Sequence, residues 1–142
     1  MEVETGRLTI DHVGLAVTDL EAAVAFYQRL LGHGPSHRES LGGDGVEACF
    51  FESGPTSLEL LSSADPCSPV GRFLERRGPG LHHLAYLVPD LAQELSRWSG
   101  WGAELLDQTP RPGARGRLVA FVHPHSAAGV LVELCQLQAD PG

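Results

Sequence analysis

The sequence predicts an α+β fold built from two tandem β-α-β-β-β modules, on three observations. Residues 10–20, Ile-Asp-His-Val-Gly-Leu-Ala-Val-Thr-Asp-Leu, return 71 positions later as Leu-His-His-Leu-Ala-Tyr-Leu-Val-Pro-Asp-Leu, so that His12, Val17, Asp19 and Leu20 meet His83, Val88, Asp90 and Leu91. A second echo sets Ser57-Leu58-Glu59-Leu60-Leu61 against Leu131-Val132-Glu133-Leu134-Cys135. Between the echoes, each copy passes once from period-two patterning to a helical stripe and back. A repeat of this kind fixes the architecture before any single element is assigned.

The elements follow in order. Residues 8–17 alternate and read as a strand, with His12, Gly14 and Ala16 on one face and Val13, Leu15 and Val17 on the other. Thr18-Asp19-Leu20-Glu21 has the form of a capping box, so a helix starts there; its apolar stripe is Leu20, Ala23, Val24, Tyr27, Leu30 and Leu31, and Gly32 ends it. A short strand near 34–40, a flexible turn at 42–45, a strand at about 46–52 and another at 56–61 complete the first module. The linker, 62–80, holds a short helix in Val70–Arg77. The second module repeats the order: a strand at 82–88, a helix opened by Pro89-Asp90 and running to about 99, and a strand from 103. A glycine-rich loop at 110–116, strands at 117–123 and 129–136, and a frayed tail from 137 to 142 follow.

Composition narrows the function. The 142 residues, 42% hydrophobic and 20% charged, belong to a soluble globular chain, and a net charge of −8 excludes sequence-independent binding to nucleic acid or to an anionic membrane. Local arginines leave room for a small anion: Arg72, Arg76 and Arg77 form one cluster, and Arg111, Arg115 and Arg117 a second. Cys49, Cys67 and Cys135 are odd in number and lack a Cys-x-x-Cys pair, which fits a reducing compartment; Cys49 and Cys135 sit in apolar runs as buried small hydrophobes. No apolar run approaches the ~20 residues of a membrane span. With no signal-peptide pattern at an acidic N-terminus, the expected location is cytoplasmic.

Taken singly, His12 or His83 reads as a hydrogen-bonded core histidine, and Glu59 or Glu133 as an exposed strand residue. Taken as a pair that recurs in register, they supply two imidazoles and two carboxylates. That is a ligand set for one divalent metal, provided the faces that carry them meet. An ionisable residue in an apolar strand is expensive unless paired, hydrated or metal-bound. Alternation sends His82 to the face opposite His83, so His83 is the expected ligand. His33, His37, His123 and His125 fall in loops or at loop edges. The glycine-rich segment at 112–116 lacks the strand-to-helix setting of a dinucleotide loop, and no Gly-x-Ser-x-Gly elbow is present.

From about Leu8 to Gln136 the chain resembles the vicinal oxygen chelate (glyoxalase/bleomycin resistance/dioxygenase) superfamily, and within it the methylmalonyl-CoA epimerase family. The residues that carry this are Asp11–Val17, Phe26-Tyr27, Ser57–Leu61, Ser68–Leu74, Gly80–His83, Pro110–Gly116, Phe121–Pro124 and Gly129–Leu134. The resemblance implies one domain over 1–142: module one at about 8–61, linker helix 62–80 and module two at about 81–136, together forming a cupped, eight-stranded mixed sheet around a metal. It implies one divalent ion per chain (Co, Mn, Zn, Ni or Mg) on His12, Glu59, His83 and Glu133, with no other cofactor. It also implies an acyl-CoA substrate, a homodimer, and inversion at C2 of methylmalonyl-CoA through a stabilised enolate.

Glu133 resembles the proton-transfer residue on one side of C2. Glu47 is the expected partner on the other, although the family position that carries a glutamate in some members aligns with Ala48. His125 stands where the family usually has lysine. Three other chemistries share the superfamily: a glyoxalase I-type lyase or isomerase, an extradiol dioxygenase, and a small-molecule-binding protein. A fourth protein ligand, Glu59, argues against the open positions of an oxygenase, and a complete ligand set argues against a mere binder.

Overall fold

The computed structural model describes residues 8–42 and 45–138; the acidic N-terminal stretch, part of the turn anticipated at 42–45 and the last four residues of the tail lie outside these. The α+β class is borne out, with eight strands and three α-helices among the described residues, in two β-α-β-β-β modules. The first module is β1 (Thr9–Ala16), α1 (Leu20–Leu31), β2 (His37–Leu41), β3 (Val46–Ser53) and β4 (Thr56–Ser63). Helix α2 (Pro69–Arg77) follows. The second module is β5 (Gly80–Leu87), α3 (Leu91–Gly100), β6 (Arg111–Pro112), β7 (Leu118–Val122) and β8 (Val132–Gln136). The described residues divide into two compact units, His12–His82 and a second made of 8–11 with 83–138.

Within the first module the strand order is β2-β3-β4-β1, with β1 parallel to β4 and the remaining pairs antiparallel. Helix α1 covers one face. Leu20, Ala23, Val24, Tyr27 and Leu31 pack on Cys49, Phe51 and Leu60, as the helical stripe requires. Leu30, expected in that stripe, instead faces out at 63% exposure. The helix is capped one residue later than the sequence pattern indicates: Asp19, not Thr18, accepts the N–H of Ala22 at 3.0 Å. Aspartate caps at least as well as threonine, and this start lets Leu20 open the buried stripe. Gly32 closes the helix at φ 82°, a left-handed turn that favours glycine.

The second module has the order β5-β8-β7-β6, with β5 parallel to β8. Leu91 and Leu95 of α3 pack on Ala120, Val122, Val132 and Leu134, and Asp90 caps the helix by accepting from Gln93 N–H. The strand expected from residue 103 is absent. Leu105 makes an isolated bridge to Val122, Asp107 accepts the N–H of Phe121 at 2.8 Å, and β6 is two residues long. Pro110 and Pro112 lack the N–H that a longer ladder needs.

Helix α2 starts at Ser68, whose hydroxyl accepts the Gly71 N–H at 2.9 Å. Gly71 is buried, and a Cβ there would collide with the Asp65 carbonyl oxygen and the Pro66 backbone. Among the described residues no helix is long and apolar enough to cross a membrane. Because the obstacle at Gly71 is backbone, it yields poorly. Gly71→Ala is expected to lower the unfolding free energy by about 1–3 kcal/mol, read as a lower urea midpoint at unchanged slope; an unshifted midpoint would show that the contact relaxes freely.

Candidate metal centre

In the unit His12–His82, parallel pairing sets Gly14 opposite Glu59 and His12 opposite Ser57. Side chains alternate along a strand, so His12, Gly14 and Glu59 share one face. His12 Nε2 lies 3.2 Å from Glu59 Oε1, and both side chains are almost fully buried, at 5% and 4% exposure. Phe50 of β3 pairs in register with Glu59 and meets the His12 ring edge-on, with centroids 5.6 Å apart and planes at 85°.

The unit containing His83 repeats this arrangement. Ala85 lies opposite Glu133, and His83 Nε2 is 3.0 Å from Glu133 Oε1. Phe121 of β7 pairs with Glu133 and meets the His83 ring at 5.9 Å and 81°. Each half-site is therefore a histidine two residues before a small residue, a glutamate opposite that small residue, and a phenylalanine beside both. The phenylalanines were not anticipated. The signal was present, because Phe50 and Phe121 stand 71 positions apart, the same offset as His12 and His83.

The donor chemistry fits a divalent ion. Imidazole nitrogen and carboxylate oxygen ligate at about 2.0–2.2 Å, so two cis ligands lie about 3.0–3.4 Å apart. Both His–Glu pairs show that separation. Ligation would also account for a carboxylate in an otherwise apolar wall, where burial is costly without a cationic or hydrogen-bonding neighbour.

Glu47 falls elsewhere. The β3–β4 register pairs Ala48 with Leu61 and Phe50 with Glu59, so Ala48 and Phe50 share the face of Glu59. Glu47 projects from the opposite face of β3, the face of Cys49 and Phe51, and its carboxylate accepts from the Ser40 hydroxyl. The strand runs without a bulge here, and alternation alone removes Glu47 from the histidine–glutamate face.

The other histidines sort as expected. His82 is half-buried and stacks edge-on against Phe73 at 4.9 Å, while His33, His37 and His125 are exposed. His123 is half-buried, and its Nδ1 accepts the His125 N–H. The second arginine cluster is not a free rim. Arg115 and Arg117 converge on Asp11 at 2.7 and 3.0 Å with only 16% of each side chain exposed, and Arg111 pairs with Asp107. Arg115 holds a left-handed backbone, φ 58°, unusual for a non-glycine residue; its bond to Asp11 helps to keep it there.

A model of the glyoxalase/bleomycin resistance protein/dioxygenase superfamily matches residues 11–121. The chain belongs to that superfamily. It is 39% identical over 134 residues to an ethylmalonyl-CoA/methylmalonyl-CoA epimerase of Cereibacter sphaeroides, covering 93% of this chain and 98% of that one. The fold matches a methylmalonyl-CoA epimerase from Mycobacterium tuberculosis with a TM-score of 0.86 at 33% identity, over 92% of this chain and 88% of that one. A methylmalonyl-CoA epimerase solved with methylmalonyl-CoA and NH4+ matches at 0.85 and 32%, over 92% and 94%. The superfamily resemblance read from the sequence, and its leaning toward these epimerases, is borne out.

Cys135 shares the face of Glu133 two residues on, yet it is no nucleophile. Burial pushes its thiol far above the ordinary range, and the Glu133 and Asp11 carboxylates add to the shift. Cys49 is raised by burial as well, whereas Cys67 is exposed. Thiolate is the reactive form, so iodoacetamide at pH 8 is expected to label Cys67 alone in the folded protein and all three cysteines after denaturation. Early labelling of Cys135, read by peptide mass, would contradict this account of the face.

Proposed function

We propose that the chain is a metal-dependent acyl-CoA epimerase that inverts C2 of methylmalonyl-CoA, working as a cytoplasmic homodimer. The observation that carries the reading is the duplicated half-site, a buried His–Glu pair beside a phenylalanine, in a chain that aligns nearly end to end with epimerases of this substrate class. On this reading the two modules act as one domain over 1–142, and His12, Glu59, His83 and Glu133 would together ligate one divalent ion. A divalent ion held there would supply positive charge opposite the oxygen on which enolate charge develops.

The chain's own residues handle the proton. Inversion needs one group to take the C2 proton from one face and another to return a proton to the opposite face. Glu133 takes the first role. With Glu47 turned away, the second passes to Glu59, which the duplication relates to Glu133 and which is likewise buried beside an imidazole and a phenylalanine of its own, His12 and Phe50. After a turnover one carboxyl has gained a proton and the other has lost one, so exchange with solvent resets the pair. Phe50 and Phe121 keep water from the carboxylates and hold the imidazoles edge-on.

In deuterated water, methylmalonyl-CoA should acquire deuterium at C2, while methylglyoxal with glutathione should not turn over. The reverse result would favour the glyoxalase-type reading. His12→Ala with His83→Ala should abolish stoichiometric metal by elemental analysis, and retained metal would end the four-ligand assignment. Glu59→Gln and Glu133→Gln keep a ligating oxygen but lose the base. Each should retain metal and slow exchange by about 10² or more, each from a different stereoisomer. Glu47→Gln should exchange at the wild-type rate, and a comparable loss there would return Glu47 to the mechanism.

A further inference from the structure

The basic residues of this chain are ten in number and all arginines. Among the described residues, Arg38 pairs with Glu21, Arg97 with Glu94, Arg111 with Asp107, and Arg115 and Arg117 with Asp11. Arg29, Arg72, Arg76 and Arg77 meet no carboxylate among the described residues, and three of these four stand exposed on helix α2. In a chain of net charge −8, a nine-residue helix with three unneutralised guanidiniums and a single acid, Glu75, is a local reversal of sign. Such a reversal attracts a compact polyanion rather than an extended one, because the surrounding field repels the rest of a long anion.

We infer that α2 is the docking surface for the nucleotide end of a coenzyme A thioester, its arginines taking the phosphates. The inference rests on the epimerase reading for the thioester and on the helix itself for the phosphates. Guanidinium is the side chain best matched to phosphate oxygens, which it meets through paired N–H donors. Beside the arginines lies a stack that suits a purine: the Arg77 guanidinium sits 5.7 Å from the Phe73 ring centre, and Phe73 meets the half-buried His82 ring at 4.9 Å.

The reach is right as well. Strand β4 carries Glu59 and ends four residues later at Ser63, about 13 Å along at strand rise. The Ser63 hydroxyl then meets that of Ser68, the α2 cap, at 2.7 Å. The pantetheine arm, long and unbranched, spans a separation of this kind between a thioester beside Glu59 and phosphates on the helix.

The test compares wild type, the triple variant Arg72→Gln/Arg76→Gln/Arg77→Gln, and Arg29→Gln as a control for charge removed elsewhere. Calorimetry with free coenzyme A should show the Kd of the triple variant raised by about tenfold to a hundredfold, with a shallower salt dependence; Arg29→Gln should bind as wild type. KM for methylmalonyl-CoA should rise in step while kcat holds. The N-acetylcysteamine thioester of methylmalonate, which lacks the nucleotide, should be turned over alike by wild type and the triple variant. Unchanged Kd and KM would overturn the inference, and so would equal losses on the full and truncated thioesters, which would mark α2 as scaffold. Coenzyme A binding that depends on the arginines, without C2 exchange, would leave the surface standing and remove the epimerase reading. Exchange with an unaltered KM in the triple variant would do the opposite.

Discussion

A carboxylate and an imidazole buried within about 3 Å of each other, on an otherwise apolar strand face, dictate much of what surrounds them. An isolated ionised carboxylate in such a place would be untenable. Its position must therefore be held by backbone register rather than by a flexible loop. The parallel β1–β4 and β5–β8 pairings do this, setting each glutamate opposite a small residue, Gly14 or Ala85. A slip of one residue would carry the glutamate into the layer where α1 or α3 packs. Those helices lock the register from behind, through Leu60 in one module and Leu134 in the other, each the residue next to its glutamate. Packing on one face thus fixes the chemistry on the other.

That coupling explains why the two His–Glu pairs were largely legible in the sequence. Strand alternation is rigid, so His12, Glu59, His83 and Glu133 could be placed on their faces from spacing alone, and the repeat showed which of two adjacent histidines stands beside a glutamate. Cys49 and Cys135 were readable for the same reason. Glu47 was misplaced because its assignment needed a bulge, and nothing local demanded one. The missing strand at 103 has a different cause. Apolar residues at 105 and 106 resemble a strand, but prolines at 110 and 112 withhold donors, and the chain satisfies itself through Asp107 and a single bridge instead. Leu30 shows the limit of periodicity, which marks a stripe but not how wide a face the sheet covers.

Electrostatics were the least legible layer. Two arginine triplets look alike in sequence, yet they serve opposite ends. Arg115 and Arg117 close on Asp11 across more than a hundred positions, a partnership no local pattern announces. Arg72, Arg76 and Arg77 lie on one short helix and pair with no carboxylate among the described residues. Sorting charges by whether the fold has already used them separates a structural cluster from one still available to a ligand.

The duplication also accounts for where the two modules differ. The His–Glu–Phe half-sites are nearly superimposable in their distances and ring angles, as a shared role would require. Away from them the copies diverge: β2 of the first module is five residues long, while its counterpart β6 is two. The residues released from β6's ladder form the Arg115-bearing loop, whose left-handed turn and bonds to Asp11 replace the missing strand hydrogen bonds as its anchor. Symmetry is kept in the buried His–Glu–Phe half-sites. It is lost at the periphery, where each copy anchors its own edge strand and loop by different bonds.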